Sequence, residues 1–457
     1  MARFISLPLM LFGLLCQLSA QLDPNDPNEL LRRAIAQVRN RLVRLSNYVC
    51  TQTTDRIVLP GRPGCYGGPP PDRFRLSQSD RVRVDVLSTS SGELYSWPGE
   101  NRFYSQDPFQ LVGLLPLSTG GFSGLLRSVF GNDNAFLYAG EVTENGRKLR
   151  QFSFRVPRES SQYWFGTRSH DWRTVAFGGT FLLDPETADL VRLVVNVSES
   201  PEATGACQAT TTLSYGRTPV NEWQSVLPAS ALFELFTTLG LEVRNSSAYS
   251  GCHEFAAQST VRFEAPDTGL RPVEKAPERP ALALPEGVPF RIVFTQDIKF
   301  RTVAAGDTIA ARLATPIVDQ SGHVLVPADA PVVTRILNAE FFRIQRDGRP
   351  VLMGTLIFRL ESLAIAGAMH PFVATTAQQI EDCDPLPGEP PKRVSSTVTT
   401  WVHDGDVASL LLAPNTASLM ICRVRPDFVL KAGKQSKWKT GGTGPTPGCL
   451  TGASRCK

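Results

Sequence analysis

One serine of the chain lies in a setting that could suit covalent hydrolysis. Ser123 belongs to the run Gly121-Phe122-Ser123-Gly124, and hydrolase nucleophiles often occupy a Gly-x-Ser-x-Gly turn. Leu125 stands where that motif requires its second glycine. We therefore predict that Ser123 belongs to a loop of small residues before a helix, and we assign no catalytic role to it.

Two histidine–aspartate groups have side chains suited to acid–base chemistry or metal binding. His170 and Asp171 are adjacent, and adjacent side chains of a strand point to opposite faces, so they would orient each other poorly. The second group, His403, Asp404 and Asp406, has one histidine and spans an Asp-Gly turn signal. We therefore predict no catalytic, cofactor-binding or metal site.

A rival hypothesis is a secreted hydrolase whose active site has no recognisable motif. It requires two or three polar side chains to converge within hydrogen-bond reach of one another in a cleft. The candidates are Ser123, His170, Asp171, His403, Asp404 and Asp406.

Cysteines carry the chemistry that the sequence predicts most directly. The chain has nine of them, and Cys16 lies in the apolar run at the N-terminus. The even number that remains, behind a secretion signal, predicts up to four disulfides. Cys383 is expected to pair with Cys422, and Cys449 with Cys456. Three pairings stay open for the remaining cysteines, which are Cys50, Cys65, Cys207 and Cys252.

The N-terminal residues predict where the protein resides. Arg3 is followed by an almost unbroken apolar run to Cys16 and by the small residues Ser19 and Ala20. This order is typical of a secretory signal, and the run is short for a membrane span. We expect a signal peptide at 1–20, no retained transmembrane segment, and a periplasmic or secreted protein.

Charge is distributed unevenly along the chain. The net charge is +4, to which the leader contributes +1 and the tail 431–457 contributes +6, so 21–430 carries −3. A slightly acidic body does not favour a nucleic-acid partner. The composition is 42% hydrophobic with 36 Gly and 35 Pro, which indicates a globular protein of short strands and turns.

An amphipathic helix is predicted at the start of the mature chain. Asp26 can cap it, Pro27 suits its first turn, and Glu29 completes a capping box. Apolar residues recur every three or four positions and predict a buried stripe of Leu31, Ile35, Val38, Leu42 and Leu45. The other faces carry arginines that we expect to be solvated, namely Arg32, Arg33, Arg39, Arg41 and Arg44.

Strand patterns dominate from residue 48 to about residue 264. Val82, Val84 and Val86 alternate with polar residues, which predicts a half-buried strand. Asn145-Gly146 separates two strand-like runs and predicts a hairpin, and 184–187 has the composition of a type I turn. Further strands are expected at 174–183, 190–197, 209–215, 242–247 and 259–264, and helices at 109–130 and 229–239.

A linker separates this first unit, 21–264, from a second unit, 286–430. Residues 265–285 are rich in proline and charge and cannot bury much apolar area, which predicts an extended segment. Alternating apolar residues in the second unit predict a small β-barrel or sandwich without a long helix. The basic tail 431–457 is expected to be flexible.

The first unit resembles known exported proteins. An amphipathic helix followed by the runs 179–187 and 213–216 resembles uncharacterised secreted proteins of soil acidobacteria. The layout is similar to the outer-membrane lipoprotein carrier superfamily, in which a curved sheet wraps helices around an apolar cavity. This resemblance implies a cavity for a lipid, a lipoprotein or another apolar ligand, and it brings no catalytic residues.

Part of the second unit resembles the β-domain of the TrbI-like core-channel family of type IV secretion. The resemblance covers 284–337 and is carried by Leu284-Pro285-Glu286-Gly287, Gly306-Asp307-Thr308-Ile309, Pro316-Ile317-Val318-Asp319 and Val324-Leu325-Val326-Pro327-Ala328. We find neither a retained membrane helix nor a pore-forming insert in the sequence. The resemblance therefore implies a β-module on the envelope side of the membrane and not a channel.

The sequence thus predicts a mainly β protein of the α+β class. A curved antiparallel sheet packed on helices is linked to a second, smaller β-barrel or sandwich. The leading hypothesis is a non-enzymatic envelope protein whose first unit binds a lipid or other apolar ligand and whose second unit contacts an envelope protein or the cell wall. No cofactor is expected. The alternatives are the hydrolase and a purely structural interaction module.

Overall fold

The structure is a computed structural model, and part of the chain is described here. The described residues are 26–44, 48–60, 78–90, 92–100, 103, 121–132, 134–161, 163–165, 173–197, 200, 204–220, 223–237, 241–255, 282, 284–346, 349–376, 380–382, 415–421, 425 and 427–441. The predicted leader, most of the predicted linker and the end of the tail lie outside them.

The described part of the chain is mostly β with two α-helices, which confirms the predicted class. The helices are α1 (Pro27–Arg44) and α2 (Gly124–Phe130). A short 3₁₀ turn covers Arg158–Ser160. The strands of the first unit are β1 (Tyr48–Pro60), β2 (Gln78–Thr89), β3 (Gly92–Ser96), β4 (Phe136–Glu144), β5 (Arg147–Val156), β6 (Trp164–Phe165), β7 (Arg173–Thr174), β8 (Phe177–Leu183), β9 (Leu190–Val197), β10 (Ala206–Val220), β11 (Trp223–Thr237) and β12 (Leu241–Glu254).

The strands in the second half of the chain differ widely in length. They are β13 (Pro289–Phe294), β14 (Ile298–Lys299), β15 (Thr308–Leu313), β16 (Ile317–Val318), β17 (Val324–Val326), β18 (Pro331–Arg346), β19 (Arg349–Ile365), β20 (Ala368–Pro371), β21 (Ala374–Thr376), β22 (Ile380–Asp382), β23 (Thr416–Ile421), β24 (Val429–Leu430) and β25 (Gln435–Thr440).

One hydrogen-bonded sheet runs through both units. In the first unit its order is β4-β5-β8-β9-β10-β11-β12-β1-β2, with every pair antiparallel. The outer edge of β2 pairs with β18 near its start and with β3 near its end. From β18 the sheet continues to β19 and β23 on one side and to β15, β13 and β25 on the other. The described strands of the second unit do not close into a barrel.

Apolar clusters explain why these strands pack as they do. The first joins α1 and α2 to strands β5 and β8–β12, and the second fills the second unit. A third cluster lies where the units meet, and it combines Val82 and Val84 of β2 with Trp97, Ala305 and Leu337. Residues of both units therefore share one buried apolar cluster at the junction.

Both turns predicted in the first unit are confirmed. Asn145 and Gly146 have φ values of 50° and 77° and connect β4 to β5, the geometry of a type I′ hairpin. Between β8 and β9, the Asp184 carboxylate accepts hydrogen bonds from the backbone N–H groups of Glu186 and Thr187 at 2.9 and 3.1 Å. The alternating valines of β2 are also confirmed, since Val82, Val84 and Val86 are at most 1% exposed.

Helix α1 forms as predicted, but two of its details are wrong. Asp26 accepts a hydrogen bond from the backbone N–H of Asn28 at 3.0 Å, whereas the Glu29 carboxylate binds Arg32 instead of completing a capping box. The fully buried apolar residues of the helix are Leu30, Ala34, Val38 and Leu42, while Leu31 and Ile35 are partly buried. The buried stripe is therefore rotated towards Ala34.

Two other predicted elements differ in the structure. The predicted helix at 229–239 is wrong, because β11 covers Trp223–Thr237 between β10 and β12 and buries alternate residues such as Phe233 and Leu235. The expected flexible tail begins with a strand, β25, which pairs with β13 and buries Ser436, Trp438 and Thr440. Of the predicted helix at 109–130, the structure describes 121–130 and forms a helix at Gly124–Phe130.

Candidate functional site

Helix α1 is fastened at one side to the turn between β8 and β9. Arg33 donates from Nη2 to the carbonyl oxygen of Glu186 at 3.0 Å, and Gln37 donates from Nε2 to the carbonyl oxygen of Thr187 at 3.0 Å. These contacts leave the apolar face of α1 on the sheet. They also fix the position of the helix against the β8–β9 turn.

The opposite side of α1 is fastened to the end of α2. Arg39 donates from Nε to the carbonyl oxygen of Phe130 at 2.8 Å and from Nη2 to that of Asn132 at 3.2 Å. A cation at the C-terminus of a helix is favoured because the last carbonyl groups have no partner within the helix. Long polar side chains therefore hold α1 over the apolar layer.

Arg41 differs from its neighbours on α1, because it is buried in that layer. The residue is 8% exposed, and its Nη1 atom has no hydrogen-bond partner in the described part of the chain. Burial lowers the pKa of the guanidinium, and the charge of Asp189 acts in the opposite direction. The Asp189 carboxylate, however, is bound by Arg217 at 2.7 Å. Since arginine stays protonated in proteins, Arg41 places a positive charge inside an apolar layer.

The second polar atom in this layer belongs to Tyr215 of β10. Tyr215 is 9% exposed, and its hydroxyl has no hydrogen-bond partner among the described residues. Burial raises the pKa of the Tyr215 hydroxyl, and the charge of Arg41 opposes that shift. The raised pKa keeps the Tyr215 hydroxyl protonated at ordinary pH.

Glu93 also influences Tyr215, but its carboxylate is engaged elsewhere. Tyr95 donates its hydroxyl to Glu93 Oε2 at 2.7 Å. The backbone N–H groups of Ser123 and Gly124 donate to Glu93 Oε1 at 2.6 and 2.9 Å. Glu93 therefore fixes the first turn of α2, where free N–H groups favour an anion.

Ser123 is confirmed as part of a short loop before a helix. It is fully buried, and the Ser88 hydroxyl donates to its Oγ at 2.9 Å. The other residues proposed for a hydrolase, His170, Asp171, His403, Asp404 and Asp406, lie outside the described residues, so their convergence stays a prediction. No group of three or more His, Cys, Asp or Glu side chains that could hold a metal ion occurs in the described part.

One disulfide of the first unit is defined. Cys50 at the start of β1 is bonded to Cys252 near the end of β12, with their Cα atoms 4.1 Å apart. This excludes the two open pairings in which Cys50 bonds to Cys65 or Cys207. Cys207 is also disulfide-bonded. The cysteines that lie outside the described residues are Cys65, Cys383, Cys422, Cys449 and Cys456.

The sequence did not identify Arg41 as a site residue, and the expectation that it is solvated is wrong. Arg41 follows Ala34 by seven residues, which is close to two helical turns and puts both on one face. A predicted buried stripe that included Leu30 and Ala34 would have put Arg41, seven residues after Ala34, on the buried face of the helix. The groups that act on the charge of Arg41, namely Asp189, Tyr215 and Arg217, are distant in sequence.

Known proteins that resemble the chain occur among solved structures. No family model matches the chain, and no curated protein matches it by sequence. An outer membrane lipoprotein-sorting domain from Vibrio parahaemolyticus is similar in structure, with a TM-score of 0.25 and 11% identity over 50% of this chain and 94% of that one. A DUF1329 family protein from Desulfovibrio piger is similar with a TM-score of 0.25 and 10% identity over 53% of this chain and 98% of that one. At these TM-scores neither likeness carries an argument about this chain.

No described helix combines the length and the apolar character needed to cross a bilayer.

Proposed function

We propose that the protein is an exported, non-enzymatic envelope protein whose first unit binds an apolar ligand between the two helices and the sheet. The observation that carries this proposal is the presence of two buried polar atoms without partners among the described residues, Arg41 Nη1 and Tyr215 Oη, next to the apolar cluster beneath the helices. Buried polar groups in native proteins nearly always have a hydrogen-bond partner. Two such atoms beside the helices support a ligand site there, and buried atoms without a partner also occur in the described part of the second unit, for example Trp438 Nε1.

Export is supported by the covalent chemistry of the first unit. The Cys50–Cys252 disulfide forms and persists in oxidising compartments, and it agrees with the leader-like residues 1–20. We propose a periplasmic or secreted location on these grounds.

For the second unit we propose a contact with an envelope protein or with the cell wall. The support is the TrbI-like resemblance of 284–337 together with the packed junction around Trp97 and Ala305. A second unit held rigidly to the first can present the loaded first unit to a partner in a fixed orientation.

Native mass spectrometry of the mature chain tests ligand binding directly. The protein is purified from the extracytoplasmic fraction without detergent, and half of the sample is extracted with organic solvent. We expect an excess mass that disappears on extraction. A mature chain that never carries an apolar molecule would contradict the proposal.

Surface adsorption is controlled with a matched variant. Leu137 and Trp164 are 70% and 63% exposed, so they are plausible points for adventitious lipid contact. The excess mass should persist in the Leu137→Ser, Trp164→Ser double variant. Its loss in that variant would place the lipid on the surface and not beneath the helices.

A further inference from the structure

We propose that Cys65 and Cys207 form a second disulfide of the first unit, which joins the β1–β2 connection to the start of β10. Cys207 is disulfide-bonded and half-buried, and Cys65 lies between β1 and β2 in the sequence, outside the described residues. This inference adds a covalent crosslink to the fold. It goes beyond the proposed function, since it does not depend on any ligand.

The defined disulfide narrows the choice of partner for Cys207. Four cysteines belong to the first unit, and Cys50 is bonded to Cys252. Within the first unit, Cys207 can therefore bond only to Cys65. The other sources of a partner are the second unit and the tail, and the register of the sheet distinguishes them from Cys65.

This register places the end of β1 near the start of β10. Leu59 pairs with Glu242, and Glu242 pairs in turn with Phe236. Phe236 pairs with Gln208, so one row of residues crosses β1, β12, β11 and β10. Neighbouring strands lie about 4.8 Å apart, which puts the Cα atoms of Leu59 and Gln208 roughly 14 Å apart along the row. Cys207 immediately precedes Gln208, where the β10–β11 register shifts.

The β1–β2 connection is long enough to cover this distance. Cys65 follows Leu59 by six residues, and an extended chain spans roughly 3.3–3.6 Å per residue, or roughly 20 Å here. The two Cα atoms of a disulfide lie about 4.4–6.8 Å apart. Cys65 can therefore reach Cys207 across the ends of β12 and β11.

The cysteines of the second unit are placed to bond with each other. Asp382 of β22 pairs with Ile421 of β23 in parallel register, and these residues are followed directly by Cys383 and Cys422. Adjacent positions of paired strands lie about 4.8 Å apart, within the Cα range of a disulfide. Six strands separate β23 from β10, which is roughly 34 Å along the sheet. A cysteine one residue beyond β22 or β23 does not span this distance.

The tail is the most distant source of a partner. Seven strands separate β25 from β10, which is roughly 38 Å along the sheet. The described part of the tail ends at Gly441, and Cys449 follows it by eight residues, which span at most roughly 29 Å. Cys456 follows Gly441 by fifteen residues and has the necessary reach. Peptide mapping therefore has to distinguish Cys456 from Cys65.

Formation of the bond is an oxidation in which a second disulfide is the oxidant. The thiolate of one cysteine attacks the S–S bond of the oxidant and forms a mixed disulfide, and one oxidant sulfur leaves as a thiolate. The thiolate of the other cysteine then attacks the mixed disulfide and displaces the second oxidant sulfur. The two cysteine thiols lose two protons and two electrons in total, and the oxidant gains them as two thiols. Thiol–disulfide oxidoreductases supply such oxidants in extracytoplasmic compartments.

The crosslink holds the β11–β12 hairpin between two strands that are fixed to each other. β1 and β10 flank this hairpin, and Cys50–Cys252 fastens the start of β1 to the end of β12. With the second bond, β1 is held at both ends. Ala206 and Ala209 lie on either side of Cys207 and belong to the first apolar cluster, so the bond also anchors β10 beside that cluster.

Peptide mapping of the mature chain without reduction tests the pairing. Free thiols are blocked with N-ethylmaleimide at mildly acidic pH, where little thiolate is present to drive exchange, and the chain is digested with trypsin. Cleavage after lysine and arginine, except before proline, puts Cys65 on 57–73 and Cys207 on 193–217, each as the only cysteine of its peptide. We expect mass spectrometry to find these two peptides linked as the main species that contains Cys207.

Single variants give a second measurement of the same pair. In Cys65→Ser the partner of Cys207 is lost, so Cys207 should become reactive towards N-ethylmaleimide. Cys207→Ser should expose the Cys65 thiol in the same way. Cys456→Ser is the matched control, because it removes the tail cysteine that has the necessary reach, and Cys207 should stay unlabelled in it.

Two results would overturn the proposal. The first is a peptide that links Cys207 to Cys456 or to any cysteine other than Cys65. The second is labelling of Cys207 in Cys456→Ser but not in Cys65→Ser. The peptide map uses the parent chain alone, so it decides the pairing even if a variant fails to fold.

Discussion

Arg56 and Asp80 face each other on β1 and β2 and bind through two hydrogen bonds, from Nε to Oδ1 at 2.7 Å and from Nη2 to Oδ2 at 2.5 Å. Each side chain is 2% exposed. Arg41 is buried to a similar degree but lacks such a carboxylate. The first unit thus satisfies the guanidinium of Arg56 within the fold, whereas Nη1 of Arg41 on α1 has no partner among the described residues.

Removing the carboxylate of Asp80 should be costly because a buried guanidinium then loses its partner. We expect Asp80→Asn to lower the free energy of unfolding by roughly 3–5 kcal/mol. Asp55→Asn is the control, since Asp55 binds Arg81 on the same strand pair with side chains 49% and 27% exposed. Asp55→Asn should lower the free energy of unfolding by less than about 1 kcal/mol. Urea unfolding measures the free energy of unfolding of both variants. Equal decreases in the two would contradict the burial of the Arg56–Asp80 pair.

Glu340 should make the stability of the junction depend on pH. It lies opposite Asp80 where β18 meets β2, and burial raises its pKa, assisted by the charge of Asp80 and opposed by Asn338, Gln78 and Arg56. The folded chain therefore binds this proton more tightly than the unfolded chain, whose pKa stays near 4.5. Protonated Glu340 therefore contributes fully to the free energy of unfolding below pH 4.5. This contribution is lost as the pH rises through the higher pKa of the folded state.

Glu340→Gln isolates this effect from the other carboxylates. The variant should gain stability relative to the parent chain as pH increases from 4.5 towards neutrality. Urea unfolding of both proteins across that range gives the difference directly. A difference that does not change with pH would show that Glu340 does not titrate abnormally.

Gly306 allows the second unit to approach the first. Its φ is 102°, and an added Cβ would collide with the carbonyl oxygen of Arg83 and lie 2.9 Å from the Trp97 ring. Gly306→Ala should therefore lower the free energy of unfolding by more than about 2 kcal/mol. Gly322 is the control, since its φ is 84° but no atom lies within 4 Å of its Cβ position. Gly322→Ala should show the backbone strain alone, about 1–2 kcal/mol.

The Cys50–Cys252 disulfide should contribute strongly to stability, because it closes a loop with a sequence separation of 202 residues. Replacing both cysteines by serine should cost roughly 2–5 kcal/mol. Peptide mapping without reduction should recover a linked pair of peptides that contain Cys50 and Cys252. A peptide joining Cys50 to Cys65 or Cys207 would contradict the structure.

Local patterns predicted the elements whose formation depends on neighbouring residues. The alternation of Val82, Val84 and Val86 and the Asn145-Gly146 turn need only the period of a strand and the positive φ of a type I′ turn. The predicted helix at 229–239 failed because a short apolar run fits helix and strand alike. The segment forms a strand because it is hydrogen-bonded to β10 on one side and to β12 on the other.

The candidate site was harder to predict because its burial depends on distant segments. The β8–β9 turn, which accepts a hydrogen bond from Gln37 on the same helix, lies 150 residues further along the chain. Similarly, Lys437 and Lys439 suggested a solvated tail, but Trp438 between them is 1% exposed in the core of the second unit. Alternating basic and buried residues are consistent with a half-buried strand as well as with a flexible tail.

Hydrogen–deuterium exchange of the delipidated mature chain, with and without saturating palmitate, tests most directly whether the first unit binds its ligand beneath the helices. The binding site proposed above predicts slower exchange in α1, β9 and β10, with no change in β18 and β19. Protection confined to the second unit, or no protection anywhere in the presence of palmitate, would contradict it.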